Sequence, residues 1–211
     1  MLSDLAQNTL DGLFLGSSYA LLALGFTLIF GVLRRVNLSY GPAIMLGCYA
    51  ATWAHLSFGT GLLALAAIAV LCTTLAGVYV ERLCFAPHRQ GSAIAAMVAS
   101  FALWMQLEEL ATLALPRHIY DFPPLYAGAP LDLWGLSLRV ESLVMLGAAV
   151  AACIVLWWIL YRARFGIAVR AVIDQPNAAQ LAGISVPRTF MLTFAMASAI
   201  GGLAGFLIAA S

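Results

Sequence analysis

Side chains able to act on a solute or a partner gather at three places in the chain. The first is Asn37-Leu38-Ser39-Tyr40, an amide and two hydroxyls just ahead of Gly41-Pro42. The second is Gln106 with Glu108-Glu109, late in an otherwise apolar run. The third is the basic stretch 162–188, RARFGIAVRAVIDQPNAAQLAGISVPR. No HExxH, no paired-carboxylate motif, no nucleophile elbow and no GxxxxGK[ST] loop occurs. Metal-dependent hydrolysis, acyl transfer and ATP hydrolysis therefore lack their residues. Cys48, Cys72, Cys84 and Cys153 are scattered without CxxC or metal spacing and read as small buried hydrophobes. No cofactor, metal or nucleic acid is implied, and the chain reads as a non-enzyme.

The elements that carry these residues are set by composition. Of 211 residues, 64% are hydrophobic and 9% charged, against roughly 25% charged in a soluble domain. Six nearly uncharged runs recur, at 12–33, 36–56, 61–80, 92–115, 142–161 and 189–211. Each is about the 20 residues that cross ~30 Å of hydrocarbon as helix. The fold class is all-α, a polytopic transmembrane bundle of about six spans forming one domain over 1–211. The first residues, MLSDLAQNTLD, carry Asp4 and Asp11 and no cation, and the run behind them is too long for a cleavable signal.

Arginine placement orients the bundle. Lysine is absent, and alternation puts Arg34, Arg35, Arg82, Arg89, Arg162, Arg164, Arg170 and Arg188 on one side, leaving Arg117 and Arg139 on the other. Cytoplasmic loops carry the excess of cations, so 162–188 should face the cytoplasm and both termini outward. Between spans 4 and 5, the proline-rich segment 117–141 reads as an outer lid.

Within the spans, Gly12-x-x-x-Gly16 and Ala197-x-x-x-Gly201-x-x-x-Gly205 predict seams where helix backbones approach closely. Gly41-Pro42 predicts a break or kink in span 2, with Asn37, Ser39 and Tyr40 satisfying freed backbone groups. Broken helices line transport paths, which makes Asn37, Ser39, Tyr40, Gly41 and Pro42 path candidates; an ordinary interfacial kink is the alternative. Glu108 and Glu109 stand near the expected outer end, where water can reach them. No span has an acid or base near its centre, unlike transporters coupled to protons or sodium. Uphill transport would then draw its energy from a partner.

The loop 162–188 offers the surface for one. Phe165, Ala168, Val169, Val172 and Ile173 fall at i, i+3, i+4, i+7, i+8, one face of an amphipathic helix, with Arg170 directed to the cytoplasm. Asp174-Gln175-Pro176 stops that helix and starts another. Ala178, Leu181 and Ala182 form the second helix's apolar side, Ala178 and Ala179 permit close approach, and Gly183 closes it in the left-handed conformation.

A family resemblance covers nearly the whole chain. YALLALGFTLIFGVLRRVNLSYGPAIMLGCY resembles the start of permease subunits of ATP-driven importers for branched-chain amino acids, matching at Tyr19, Gly25, Gly31, Asn37, Gly41, Gly47 and Tyr49 among others. That family more often has histidine at the place of Tyr40 and an acid at that of Pro42. Glu81-Arg82 and Pro87 are similar to its basic inner loop, with Ala86 and His88 replacing arginine and leucine. Asn177-Ala178-Ala179-x-x-x-Gly183 is similar to the Glu-Ala-Ala-x-x-x-Gly loop by which importer permeases engage their ATPases, with asparagine in place of glutamate. The resemblance implies coupling through Arg170, Asn177, Ala178, Ala179 and Gly183, alternating access, and a place in the bacterial inner membrane among its lipids. It implies cytoplasmic ATP-binding subunits, a second permease subunit and an extracytoplasmic solute-binding protein as partners. Family members run on through further spans, so it also implies a C-terminally shortened chain. Urea or a short amide is the alternative solute. A passive channel or structural membrane subunit is the alternative class.

Overall fold

The computed structural model describes residues 2–89, 91–114, 122, 131–133 and 136–210. Eight α-helices follow in order: α1 Leu2–Leu33, α2 Tyr40–Phe58, α3 Leu62–Val80, α4 Ala93–Ala114, α5 Val140–Arg162, α6 Arg164–Asp174, α7 Pro176–Leu181 and α8 Val186–Ala209. A π-helical turn, Glu81–Phe85, prolongs α3, and two short strands, β1 Leu131–Leu133 and β2 Leu136–Leu138, pair antiparallel ahead of α5. This hairpin falls in the expected outer lid, most of which lies outside the described residues, and is the one departure from an all-helical fold among them. Arg117 also lies outside.

Among the described residues, α1, α3 with its π turn, α4, α5 and α8 are long and apolar enough to cross a membrane. Five of the about six expected spans meet that measure. The missing one is α2, 19 residues that include Tyr40, Pro42, Tyr49, Thr52 and His55. Its polar groups are met by protein instead of lipid. Thr52 donates to the Cys48 carbonyl (2.9 Å), the Tyr40 hydroxyl to the Ala197 carbonyl (3.4 Å), and His55 Nδ1 lies 2.8 Å from the Thr60 carbonyl.

Hydrogen bonds gather the loops at one end of the bundle. Arg34 donates to the Ile173 carbonyl (3.2 Å); Arg35 donates to those of His88 (2.5 Å), Arg89 (3.1 Å) and Gly91 (3.1 Å). Arg89 reaches the Pro187 carbonyl (3.5 Å) and pairs with the buried Glu81 carboxylate. The α1–α2, α3–α4 and α5–α8 connections therefore share that end, and α2 must run away from it before α3 returns.

Helix α8 is the centre, packing on α1, α2 and α3. One buried cluster, containing Ile29, Ile44, Val80, Phe85 and Phe194, fills the arginine end; another, with Leu21, Ala51, Leu65, Met145 and Phe206, fills the opposite end. The expected seam on α8 meets α2. A Cβ at Gly201 would stand 2.6 Å from the Tyr40 hydroxyl, and one at Gly205 would stand 3.0 Å from Cys48 Sγ. Among the described residues the seam expected at Gly12 and Gly16 has no partner: nothing lies within 4 Å of a Cβ at either. Both face outward.

Candidate functional site

Of the three groups that stood out in the sequence, the structure treats the segment before α2 and the loop 162–188 differently. The segment before α2 is not a broken helix. Residues 35–39 approach without regular structure, and α2 starts at Tyr40 with Gly41 and Pro42 in its first turn. Proline there loses no hydrogen bond, because first-turn amides have no intrahelical partner. The expected kink is thus a helix start.

The polar residues ahead of it close the segment onto α4. Asn37 Oδ1 accepts from the Ser39 amide (3.0 Å), and the Ser39 hydroxyl donates to the Ser100 carbonyl. Ser100 Oγ in turn accepts from the Leu38 amide (3.3 Å) and donates to the Met97 carbonyl (2.7 Å). Asn37 is 4% exposed and Ser39 is fully buried. The Tyr40 ring is wedged between α1 and α8, where a Cβ at Gly25 would collide with its hydroxyl. Asn37, Ser39 and Tyr40 are sealed between helices, while Gly41 is exposed and Pro42 half-buried. Ser100 was missed in the sequence. Its signal is the spacing of the buried face of α4, Ala96, Ser100, Leu103, Leu107 and Ala111.

The loop 162–188 folds as two helices with distinct jobs. α6 turns Val169 and Val172 inward, both almost fully buried, with Phe165, Ala168 and Ile173 half-buried beside them. It packs on α1, α5 and α8. The corner from α5 depends on Gly166, where a Cβ would collide with the Leu160 and Ile159 carbonyls. Arg170 is not simply directed to the cytoplasm; its guanidinium lies over the Tyr161 ring of α5, 5.2 Å from the centroid.

α7 is held by little. Ala179, 4% exposed, is its buried residue, and its ends are closed by turns. Gly183 has φ +84°; its amide donates to the Gln180 carbonyl (3.0 Å) and the Ile184 amide to the Ala179 carbonyl (3.0 Å). That pair of bonds is a Schellman closure, which needs the left-handed residue glycine supplies. Asn177 and Ala178 are exposed, and Leu181 is 92% exposed. The exposed apolar side of α7 is accordingly Ala178, Leu181 and Ala182. Ala179 faces inward and anchors the helix. Beneath α7 lies a cavity of about 360 Å³ whose polar lining includes Arg34, Arg35, Arg89, Asp174, Asn177 and Gln180.

Among the described residues no group of histidine, cysteine and acidic side chains could hold a metal ion. Cys48, Cys72, Cys84 and Cys153 are free thiols. The architecture is that of a multi-pass helical membrane protein with a small helix, its apolar side exposed, held out at one end. The match to known sequences specifies it: residues 8–211 match the family described as branched-chain amino acid transport system / permease component, and the chain belongs to that family. It is 27% identical over 214 residues to the high-affinity branched-chain amino acid transport system permease protein LivH of Escherichia coli (strain K12), covering 96% of this chain and 70% of the relative. The Pseudomonas aeruginosa permease protein BraD is 24% identical over the same shares. The probable permease protein LivH of Methanocaldococcus jannaschii is 26% identical, over 99% of this chain and 68% of its own. No solved structure matches the chain.

Proposed function

We propose that this chain is the permease subunit of an ATP-driven importer of branched-chain amino acids, in the inner membrane, working by alternating access. The observation that carries the coupling reading is α7. Leu181, 92% exposed on a six-residue helix, offers a partner apolar surface to bury. The rigid, amphipathic α6 behind it can transmit force to α1, α5 and α8. Cytoplasmic ATP-binding subunits are the partner that fits, since the chain has no nucleotide-binding loop of its own. The names of the relatives support branched-chain amino acids over urea or short amides. A passive channel has no use for such a helix.

The same reading places α6 and α7 in the cytoplasm and Met1 outside, as one permease domain over 1–211. Support comes from the arginine-rich end of the bundle, and from α2, which runs from that end to the turn at Gly59. A second permease subunit is supported by α3 and α4. The Tyr79 hydroxyl and Gln106 Oε1, 3.4 Å apart, are exposed on helices that cross the membrane. Polar groups are costly against lipid, so another subunit or a water-filled path between subunits suits this face. An extracytoplasmic solute-binding protein would dock at the opposite end.

The test uses the permease reconstituted with its ATPase and binding protein. Burying a leucine is worth about 2 kcal/mol, or roughly 30-fold in affinity. Leu181→Asp should therefore cut ATPase recovery at least about tenfold and abolish solute-stimulated ATP hydrolysis, with the membrane bundle intact. If Leu181→Asp assembles and couples like the parent, α7 is only a connector.

A further inference from the structure

A membrane-facing groove of about 610 Å³ lies between α1 and α5 and ends on α6. Its walls are Ala20, Ala23, Thr27 and Gly31 of α1 against Leu156 and Leu160 of α5. At α6 the lining is Val169, Ile173 and Arg170, with Tyr161 of α5 beside the arginine. The groove is apolar over most of its length and cationic at one end.

Length distinguishes what could fill it. From Ala20 to Val32, the limits of its α1 wall, the helix rises about 18 Å. One leaflet of hydrocarbon is about 15 Å deep, half the ~30 Å core. A transmembrane helix from another subunit would need a groove through both leaflets. A lipid needs one leaflet and a charge at the headgroup level, which is the order of polarity seen here. Arg170 is exposed, is held by stacking on Tyr161, and among the described residues pairs with no carboxylate. The surrounding segment 162–188 has four arginines against one aspartate, which favours an anionic headgroup.

We propose that this groove binds one anionic phospholipid from the leaflet at the arginine end, with an acyl chain between α1 and α5 and its phosphate on Arg170. Because α6 forms the groove's end, the lipid is part of the support on which α7 is mounted. The inference rests on the chain's spanning a membrane, not on what it transports, so its test needs neither ATPase nor solute.

The 211-residue chain, purified in detergent and stripped of lipid, is titrated with phosphatidylglycerol, phosphatidylethanolamine or glycerol 3-phosphate, and bound molecules are counted by native mass spectrometry. Ala23 and Arg170 are both exposed, so Ala23→Phe and Arg170→Gln leave the bundle's packing intact, as circular dichroism verifies. The parent should hold one phosphatidylglycerol in preference to phosphatidylethanolamine. Arg170→Gln should weaken it about tenfold, Arg170→Lys should restore most of the loss, and Ala23→Phe should exclude it. Glycerol 3-phosphate should not compete, since it lacks the chain the groove takes. Equal retention by the parent, Arg170→Gln and Ala23→Phe overturns the proposal, as does displacement by glycerol 3-phosphate. A stripped parent that is dimeric, and that Ala23→Phe makes monomeric, assigns the groove to a second copy and also overturns it.

Discussion

Two buried polar residues make opposite demands on the core. Thr73 Oγ1 is buried with no hydrogen-bond partner among the described residues, pressed between α2 and α8 where Gly47 and Gly202 leave room for it. A buried hydroxyl without a partner forfeits about 1–3 kcal/mol of desolvation. Thr73→Val keeps the shape and removes the cost, so the melting temperature in detergent should rise. A fall would mean that the hydroxyl finds a partner. Glu81 has one: its side chain is 2% exposed and paired with Arg89, which is 21% exposed. Removing one member of a buried pair costs about 3–5 kcal/mol, whereas replacing both with apolar groups is often neutral. Partial exposure of Arg89 puts Arg89→Leu near the lower figure. The double variant Glu81→Leu, Arg89→Leu should recover most of that loss. Thermal unfolding of both, if equally destabilised, would show that the carboxylate has support beyond Arg89.

At the scale of elements, the two glycines around α6 and α7 fail differently. A side chain at Gly166 strikes the backbone carbonyls of Leu160 and Ile159, which cannot move without opening the α5–α6 corner. Gly183 has open space around it and only its φ of +84° to protect. A left-handed non-glycine residue costs roughly 1 kcal/mol. Gly166→Ala should therefore lower the melting temperature and the yield of folded chain. Gly183→Ala should leave both nearly unchanged while misdirecting α7 and weakening ATPase recovery. Equal loss of stability in the two variants would remove this distinction. The sequence shows Gly183 clearly, because a glycine after a short apolar-sided helix has one common use. It conceals Gly166, whose need arises from carbonyls of the preceding helix. The α6 stripe was legible for a related reason: a helix lying between water and protein must be two-faced. The facing of α7 was not, since Ala178, Leu181 and Ala182 form an apolar side whether it turns inward or out. Gly41-Pro42 suits both a kink and a helix start, and only the hydrogen bonds from Leu38 and Ser39 to α4 decide between them. Those bonds depend on Ser100, far along the chain.

For the whole molecule, the decisive quantity is which end faces the cytoplasm. Five helices are apolar and long enough to span, and an odd count would put the two termini on opposite sides. The hydrogen bonds argue for an even number of traverses. Arg34 and Arg35, just after α1, reach Ile173 and the His88–Gly91 turn, so α2 and α3 together make one round trip. At the other end, Asp11 of α1, Arg139 before α5 and Ile208 of α8 line a common recess. On that reading α2 would make the sixth traverse despite its lower hydropathy, packed against α3 and α8. Single cysteines in a background lacking Cys48, Cys72, Cys84 and Cys153 test this directly. Leu181 and Phe58, 92% and 73% exposed, mark the two ends without disturbing the core. Leu181→Cys should react with a membrane-impermeant maleimide only after the cytoplasmic face is opened, and Phe58→Cys should react in intact cells. If both react from the same side, α2 does not cross, and the round trip inferred from the arginines fails. If they react from opposite sides but reversed, the bundle stands and the eight arginines face outward, against the bias that governs insertion.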